Sequence, residues 1–294
     1  MSADRILAFV LAGGEGLRLR PLTSRQAKPA VCFAGGYRLV DFVLSNLVNS
    51  GVDAIYVLAQ YKPESLIAHL AAEWGTAVKV LLPRAGSGGY AGTASAVQQN
   101  LDLIESERPD LVAVFAADHV YRMDLRQMAS FHRARRAQVS VSAVAVPIAS
   151  APSFGVISAH ADGSVREFQE KPSDPRPLPG DASRAYASMG NYLFEPGLLA
   201  PELERAARRG GTDFGRHVMP DLPGHRAVYA YDLAENVVPG VQAYEEPAYW
   251  RDVGTLPALR AARKDILGAR PRFRLHNPSW PIRSLDHFDH RSAA

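Results

Sequence analysis

Apolar residues fall along this chain in short runs that alternate with segments of helical period. Ile6–Ala12 is a continuous aliphatic run closed by glycine, the pattern of a strand buried on both faces. Val40–Ser50 repeats its apolar residues as a helix does, and Gly51 is a suitable stop. Ala54–Ala59 reads as a second strand. Pro63–Trp74 reads as a helix with Leu66, Ile67, Leu70, Ala71 and Trp74 on its buried face. The alternation continues with strand Val78–Leu82, helix Thr93–Ile104, strand Leu111–Ala117, helix Asp124–Arg136 and strand Val139–Val146. This order predicts an α/β fold with a mostly parallel sheet covered by helices on both faces.

Beyond Pro147 the rhythm changes. Gly155–Ser158, Val165–Glu170 and Ala187–Phe194 read as strands, the first two joined by a hairpin turn at Asp162-Gly163. Pro172–Asp181 holds four prolines and must be a loop. Leu198–Arg209 and Leu256–Leu267 read as helices, the second capped by Thr255. Ala227–Tyr231 reads as a strand. From Ala269 the chain is rich in Pro, Arg and His and loses all period.

Composition narrows the classes. The chain has 294 residues, 47% hydrophobic and 21% charged, with a net charge of +3. That charge is too small and too dispersed for a nucleic-acid surface, but it leaves room for a basic cleft. No apolar run approaches the roughly 18 residues of a membrane span, and no basic leader precedes Ile6. A cytoplasmic protein is expected. A single cysteine, Cys32, excludes an internal disulfide framework; its apolar neighbours make it a small core residue rather than a nucleophile.

Five segments carry candidate chemistry. Leu11–Thr23, LAGGEGLRLRPLT, runs a strand into Gly13, Gly14 and Gly16 and then Arg18. Such a turn brings backbone N–H groups to anionic oxygens, and Arg18 adds a two-pronged donor. The spacing is neither GxGxxG nor a P-loop. Lys28 follows closely enough to point into the same cleft. Asp118 directly follows a buried strand, where open α/β sheets place ligands and where a carboxylate suits Mg²⁺; a turn residue would read the same way. Lys171 closes FQEKP and offers a point charge for phosphate. Asp252, in YWRDVGT, reads only as a buried acid.

Taken together, LAGGEGLRL, KPAV, YRLVDFVLSN, AQYK, ADHVYRMD, FGVI, EKP, SMGNYLF, DFG, YWRDVGT and WPIRS resemble the bacterial ADP-glucose pyrophosphorylases in order and spacing, from Ile6 to Ser284. The resemblance implies a Rossmann-like nucleotidyltransferase fold with a mixed, mostly parallel sheet between helices. It implies coupling of a nucleoside triphosphate to a sugar 1-phosphate such as glucose 1-phosphate, with release of pyrophosphate. Arg18, Lys28, Asp118 and Asp252 would be catalytic, with Mg²⁺ on the two aspartates. Leu11, Ala12, Gly13, Gly14, Gly16, Gln60, Tyr90, Gly92 and Thr93 would bind the nucleotide. Glu170, Lys171, Ser188, Tyr192, Asp213 and Trp250 would bind the sugar phosphate.

Three departures from that pattern matter. The chain stops at Ala294, soon after WPIRS, so residues 1–268 are expected to form the catalytic domain. Residues 269–294 would then be a tail, with no β-helix domain following. The nucleotide loop Pro83–Ala94 carries Ala85 and Gly86 where the family has a Gln-Gln pair, and Gly89 where it has an aromatic residue. Glu15 and Leu17 replace the small or basic residues usual in the glycine loop. These changes keep two alternatives open: a valienol-type cyclitol 1-phosphate nucleotidyltransferase, and a non-catalytic regulatory subunit. The missing GxGxxG argues against a nucleotide-binding oxidoreductase. The sequence leaves oligomeric state open and is compatible with a homo-oligomer. His276, His287 and His290 fit no zinc spacing and are expected to lie in the tail.

Overall fold

The computed structural model describes residues 4–283. The chain forms two compact units, each assembled from several stretches. The first takes the residues up to Phe9, Pro83–Phe115 and Arg126–Asn236; the second takes Val10–Leu82, Ala116–Leu125 and the chain from Val237. The strands are β1 (Ile6–Ala12), β2 (Cys32–Ala34), β3 (Tyr37–Arg38), β4 (Ala54–Ala59), β5 (Lys79–Leu81), β6 (Leu111–Ala116), β7 (His119–Tyr121), β8 (Val139–Pro147), β9 (Gly155–Ala159), β10 (Val165–Glu170), β11 (Arg184–Phe194), β12 (Val228–Asp232) and β13 (Trp250–Asp252). The helices are α1 (Leu39–Asn49), α2 (Glu64–Glu73), α3 (Thr93–Gln98), α4 (Asp102–Glu107), α5 (Leu125–Ala134), α6 (Pro196–Ala207) and α7 (Leu256–Asp265).

The first unit is organised around β11, which runs antiparallel to β6, β8 and β9. β10 adds outside β9, and β12 pairs parallel with β8. The sheet is mixed, with parallel core strands, as expected. Its antiparallel pairings all involve strands after Pro147: the β9–β10 hairpin, and β11 against β6, β8 and β9. The turn between β9 and β10 falls at Asp162-Gly163 as expected: Gly163 has φ +86°, and Asp162 Oδ1 accepts from the Ser164 N–H and hydroxyl.

In the second unit β4 pairs parallel with β5. Ile6–Val10 and Ile55–Ala59 are buried on both faces, which their unbroken apolar runs require. α2 turns a different face inward from the one expected. Ile67 and Ala71 are exposed, while His69 and Glu73 are buried beside Leu66, Leu70 and Trp74. Asp41 of α1 explains the rotation: its buried Oδ1 lies 2.7 Å from His69 Nε2 and accepts from Trp74 Nε1 at 3.0 Å. A buried carboxylate needs such partners.

Three further differences have local causes. The helix expected over Thr93–Ile104 breaks into α3 and α4, because the Asn100 amide donates to the Ala96 carbonyl at 2.8 Å and competes with the helical ladder. Cys32 is exposed rather than in the core: on a strand, alternate residues face opposite ways, so Phe33 takes the inward position. The segment read as a tail from Ala269 packs against the second unit as far as the described residues extend. Phe273, Trp280 and Ile282 are buried, Trp280 Nε1 donates to Asn46, and the Arg283 N–H donates to Ser45. Aromatic anchors hold this stretch without any periodic pattern. His287 and His290 lie outside the described residues, and the described residues contain no cluster of three or more His, Cys, Asp or Glu placed to hold a metal. No described helix is long and apolar enough to cross a membrane. Thr255 caps α7 as expected, its hydroxyl accepting from the Ala258 N–H.

Candidate active site

In the second unit β1 delivers Leu11 and Ala12 to the loop Gly13–Gly16. Gly16 adopts φ 61°, and a Cβ there would stand 2.8 Å from Lys28 Cβ and 3.0 Å from Thr23 Cγ2. Glycine therefore lets the loop pack against the Lys28 segment, and the buried Thr23 hydroxyl fixes it by donating to the Gly16 carbonyl at 2.9 Å. Gly13 faces Gln60, which follows β4; its Cβ would sit 3.7 Å from Gln60 Cβ. A Cβ on Gly14 would meet nothing within 4 Å. The fold does not require glycine at that position, so the requirement, if any, lies with a ligand brought against the backbone.

Two acids meet in the same unit through a strand pair that spacing alone does not reveal. Asp118 directly precedes β7, which pairs antiparallel with β13 in the register Asp252↔His119 and Trp250↔Tyr121. The Lys28 ammonium stands 2.7 Å from Asp118 Oδ2 and 3.6 Å from Asp252 Oδ1. Burial works against the Lys28 charge, but Asp118 and then Asp252 outweigh it and raise its pKa. Burial likewise opposes the Asp118 charge. Lys28 and then His119 overcome it and hold that carboxyl well below the usual range. Arg18 reaches the same place: a Cβ on Gly254 would lie 2.9 Å from both Arg18 Nη2 and Asp252 Oδ1.

His119 was not singled out in the sequence. Its Nε2 lies 3.6 Å from Asp118 and 4.0 Å from Asp252, and its ring meets the buried Trp250 edge-on at 5.0 Å. Its place in the dipeptide Asp118-His119 at a strand end was the available signal. Arg251 anchors β13 by donating to both Glu246 oxygens, at 2.9 and 2.6 Å, and to Asp265 at 2.9 Å. The donor set at the centre fits a hard divalent cation. Two carboxylates converge on one point where a positive group, the Lys28 ammonium, already stands.

The other expected residues belong to the first unit. Gly92 lies so close to Thr212 that a Cβ would stand 2.5 Å from its carbonyl oxygen, and that oxygen accepts from Ala94 N–H at 2.8 Å. Thr93 donates to Asp213 Oδ2 at 3.0 Å and accepts from Phe214 N–H at 2.9 Å; Asp213 Oδ1 accepts from Arg216 N–H at 3.0 Å. Asp213 thus caps a π-helical turn, Phe214–Val218. Glu170 stands at the end of β10 against two glycines. A Cβ on Gly215 would be 2.8 Å from its Oε2, and one on Gly155 would be 3.2 Å away. Lys171, half-exposed with φ 49°, pairs with Glu170 at 3.1 Å. On β11 a bulge between Ser188 and Tyr192 lets the Ser188 hydroxyl accept from Gly190 N–H at 3.2 Å. Tyr192 stacks on Phe214 at 5.8 Å, and burial pushes its hydroxyl pKa well up.

Tyr90 and the loop before it carry an organiser that the sequence reading missed. The Gln99 amide bridges the loop: its Oε1 accepts from Arg84 N–H at 3.2 Å and its Nε2 donates to the Gly89 carbonyl at 2.9 Å. Between these points Gly86 and Gly88 have φ +80° and +71°. Asn100 donates to the Tyr90 hydroxyl at 3.3 Å. The residues expected for nucleotide and for sugar phosphate are therefore each divided between the units. Leu11–Gly16, Gln60 and Trp250 belong to the second, whereas Tyr90, Gly92, Thr93, Glu170, Lys171, Ser188, Tyr192 and Asp213 belong to the first.

A parallel-cored mixed sheet, a glycine turn at a strand end and paired carboxylates beside a lysine define a nucleotidyl-transferring enzyme. Residues 7–268 match the nucleotidyl transferase family, to which the chain belongs. Within it the chain belongs with the glucose-1-phosphate adenylyltransferases. It is 50% identical to the enzyme of that name from Thermodesulfovibrio yellowstonii, over 95% of this chain and 70% of the relative. Identity is 48% to the Streptomyces avermitilis enzyme, over 94% and 71%, and 44% to that of Thermus thermophilus, over 96% and 72%.

Proposed function

We propose that this chain joins the adenylyl group of ATP to glucose 1-phosphate and releases pyrophosphate, with Mg²⁺ held by Asp118 and Asp252. The observation that carries the reading is the Lys28–Asp118–Asp252 cluster, a cation already seated against two carboxylates that the β7–β13 pair brings together. The substrates follow from the names of relatives up to 50% identical to this chain over about 70% of their own length.

The residues answer the physical problem of the reaction. A phosphate monoester has a second pKa near ~6, so the attacking oxygen is already ionised at neutral pH and no general base is needed. The obstacle is bringing a dianion to the α-phosphorus of a polyanion. Lys171, half-exposed and held beside Glu170, offers a point charge to the sugar phosphate. Glu170 and Asp213 accept hydrogen bonds from sugar hydroxyls, with Ser188 and Tyr192 beside them. The glycine-loop N–H groups, Arg18 and Lys28 take the triphosphate oxygens. The sugar-phosphate oxygen forms its bond to the α-phosphorus as the bond to the bridging oxygen breaks, and pyrophosphate leaves with that electron pair. Bound at the two aspartates, Mg²⁺ supplies charge neutralisation at the phosphates. Lys28 and Arg18 stabilise the charge that develops on the leaving group.

The test is pyrophosphate release by the full chain across four nucleoside triphosphates and a panel of hexose and cyclitol 1-phosphates. ATP with glucose 1-phosphate is expected to give the highest kcat/KM. A higher value with a cyclitol 1-phosphate would move the protein to the cyclitol branch. No release with any pair would leave a binding subunit.

A further inference from the structure

The first unit contains a cavity of about 380 Å³ that shares no lining residue with the groups assigned to the reaction. The C-terminal end of α5 supplies Phe131, the turn after it supplies Arg135, the β9–β10 turn supplies His160, and β11 supplies Tyr186. The end of β12 and the turn after it supply Asp232 and Glu235. The proline-rich loop, whose composition the reaction does not explain, closes one side with Leu178 and Pro179.

The walls are set in advance. The loop is tied at both ends of its turn, Leu178 N–H donating to the Arg184 carbonyl at 2.8 Å and Asp181 N–H to the Leu178 carbonyl at 3.1 Å. The Tyr186 hydroxyl donates to Asp232 Oδ2 at 2.8 Å, while Asp232 Oδ1 accepts from Ala234 N–H at 2.9 Å. Phe131 is held edge-on to Tyr231 at 5.3 Å. A site whose shape exists beforehand loses less entropy when it binds.

Three solvent-exposed side chains stand around this frame with their hydrogen-bonding groups open to a ligand. Arg135 lies 5.5 Å from the Phe131 ring centre. Neither its guanidinium, nor the His160 imidazole, nor the Glu235 carboxylate makes a hydrogen bond or ion pair among the described residues. They are flat donors and a flat acceptor set beside an aromatic ring, a leucine and a proline. A sugar presents the complement: hydroxyls that both donate and accept, on a ring whose C–H faces are apolar. Charge decides against the phosphorylated substrates themselves. Asp162, Asp232 and Glu235 all line the cavity, against Arg135 and His160, and a phosphate dianion placed there meets like charge. The volume lies within the ~300–1,000 Å³ of small-molecule sites.

We propose that this cavity is a second ligand site, separate from the catalytic residues, for an uncharged saccharide. The experiment is calorimetric titration of the full chain with glucose, maltose, trehalose and glucose 6-phosphate, each with the catalytic site saturated by nucleotide-sugar product. At least one neutral sugar is expected to saturate at ~1 mM or below. That binding should weaken about tenfold or more in Glu235→Gln and in Arg135→Gln, each removing one charged hydrogen-bonding group. Leu178→Trp, which fills the cavity without changing charge, should abolish it. kcat and the substrate KM values should stay unchanged in all three. The proposal is overturned if no neutral sugar saturates at roughly ten times that concentration. Tighter binding of glucose 6-phosphate than of glucose also overturns it, as does neutral-sugar binding that survives all three substitutions.

Discussion

In the second unit the polar groups are balanced against one another as charge. Lys28 neutralises Asp118 and approaches Asp252, with Arg18 and His119 alongside. In the first unit Asp213 is held by uncharged donors, the Thr93 hydroxyl and a backbone N–H, while Glu170 packs against two glycines and pairs with the half-exposed Lys171. Charges arranged for balance act over distance and tolerate small displacements. Hydrogen bonds to hydroxyls and amides act only in direction. The second arrangement suits a ligand recognised by shape and hydroxyl placement; the first suits phosphates and a cation whose charge shifts during reaction. On the proposed function, the charged cluster of the second unit would set the rate and the directional contacts of the first would select the sugar, and variants can break that division.

The largest effect is expected in the charged cluster. Asp118→Asn and Asp252→Asn should each lower kcat by at least ~10²-fold, the size of one lost transition-state charge contact. Both should stay folded by circular dichroism, since the strand pair and the Arg251 anchor remain. Mg²⁺-dependent turnover near the parent rate in either variant removes the metal assignment. Next in size is Lys171→Gln. Its KM for sugar 1-phosphate should rise about 10- to 100-fold, as for one charged hydrogen bond, while the KM for nucleotide moves little. An equal rise in both would place Lys171 elsewhere.

Much of the frame behind this comparison was legible in residues. β1 and β4 end where their runs end, because a strand buried on both faces is written as an unbroken apolar run. Thr255 announced its helix because a hydroxyl at that position caps whatever follows. The pairing of Asp118 with Asp252 was not legible from pattern. β7 and β13 have three residues each, too few for any period, and their partnership is long-range. Only resemblance brought those acids together before the fold did. Gln99 was missed for another reason: both its partners are backbone groups, which leave no trace in side-chain spacing.

Gln99 supplies the next test. Ala85 and Gly86 offer a nucleobase no side-chain hydrogen bond, so selection at that loop would rest on backbone groups whose positions Gln99 fixes. Gln99→Leu removes both contacts. At about 1 kcal/mol for each, the nucleotide KM should rise roughly tenfold or more, the preference for ATP over GTP should fall, and the KM for sugar 1-phosphate should hold. The parent protein should already accept GTP, with an ATP preference below the ~10³-fold that dedicated base hydrogen bonds can give. A larger parental preference, or a Gln99→Leu variant with unchanged discrimination, shows that base choice is made elsewhere.

The smallest expected effect separates what the fold requires from what a ligand requires within one loop. Gly16 sits at φ 61° with Lys28 and Thr23 inside the contact distance of any Cβ. Gly16→Ala therefore faces backbone strain and a clash together, and should lower the unfolding temperature. Gly14 lies outside the left-handed region, and its added Cβ would meet nothing within 4 Å. Alanine there also reduces the freedom of the unfolded chain. Gly14→Ala should leave the ligand-free protein as stable as before, or more stable by about 0.4–1 kcal/mol. The nucleotide KM should nonetheless rise, because a methyl group would stand where the triphosphate approaches the backbone. Thermal unfolding with and without ATP and Mg²⁺ reads both parts: the stabilisation given by nucleotide should shrink in Gly14→Ala while the unliganded midpoint does not fall. A lower unliganded midpoint means that the fold needs this glycine after all. An unchanged shift on adding nucleotide means that the triphosphate does not approach the loop at Gly14, and the charged cluster would then have to bind it without that contact.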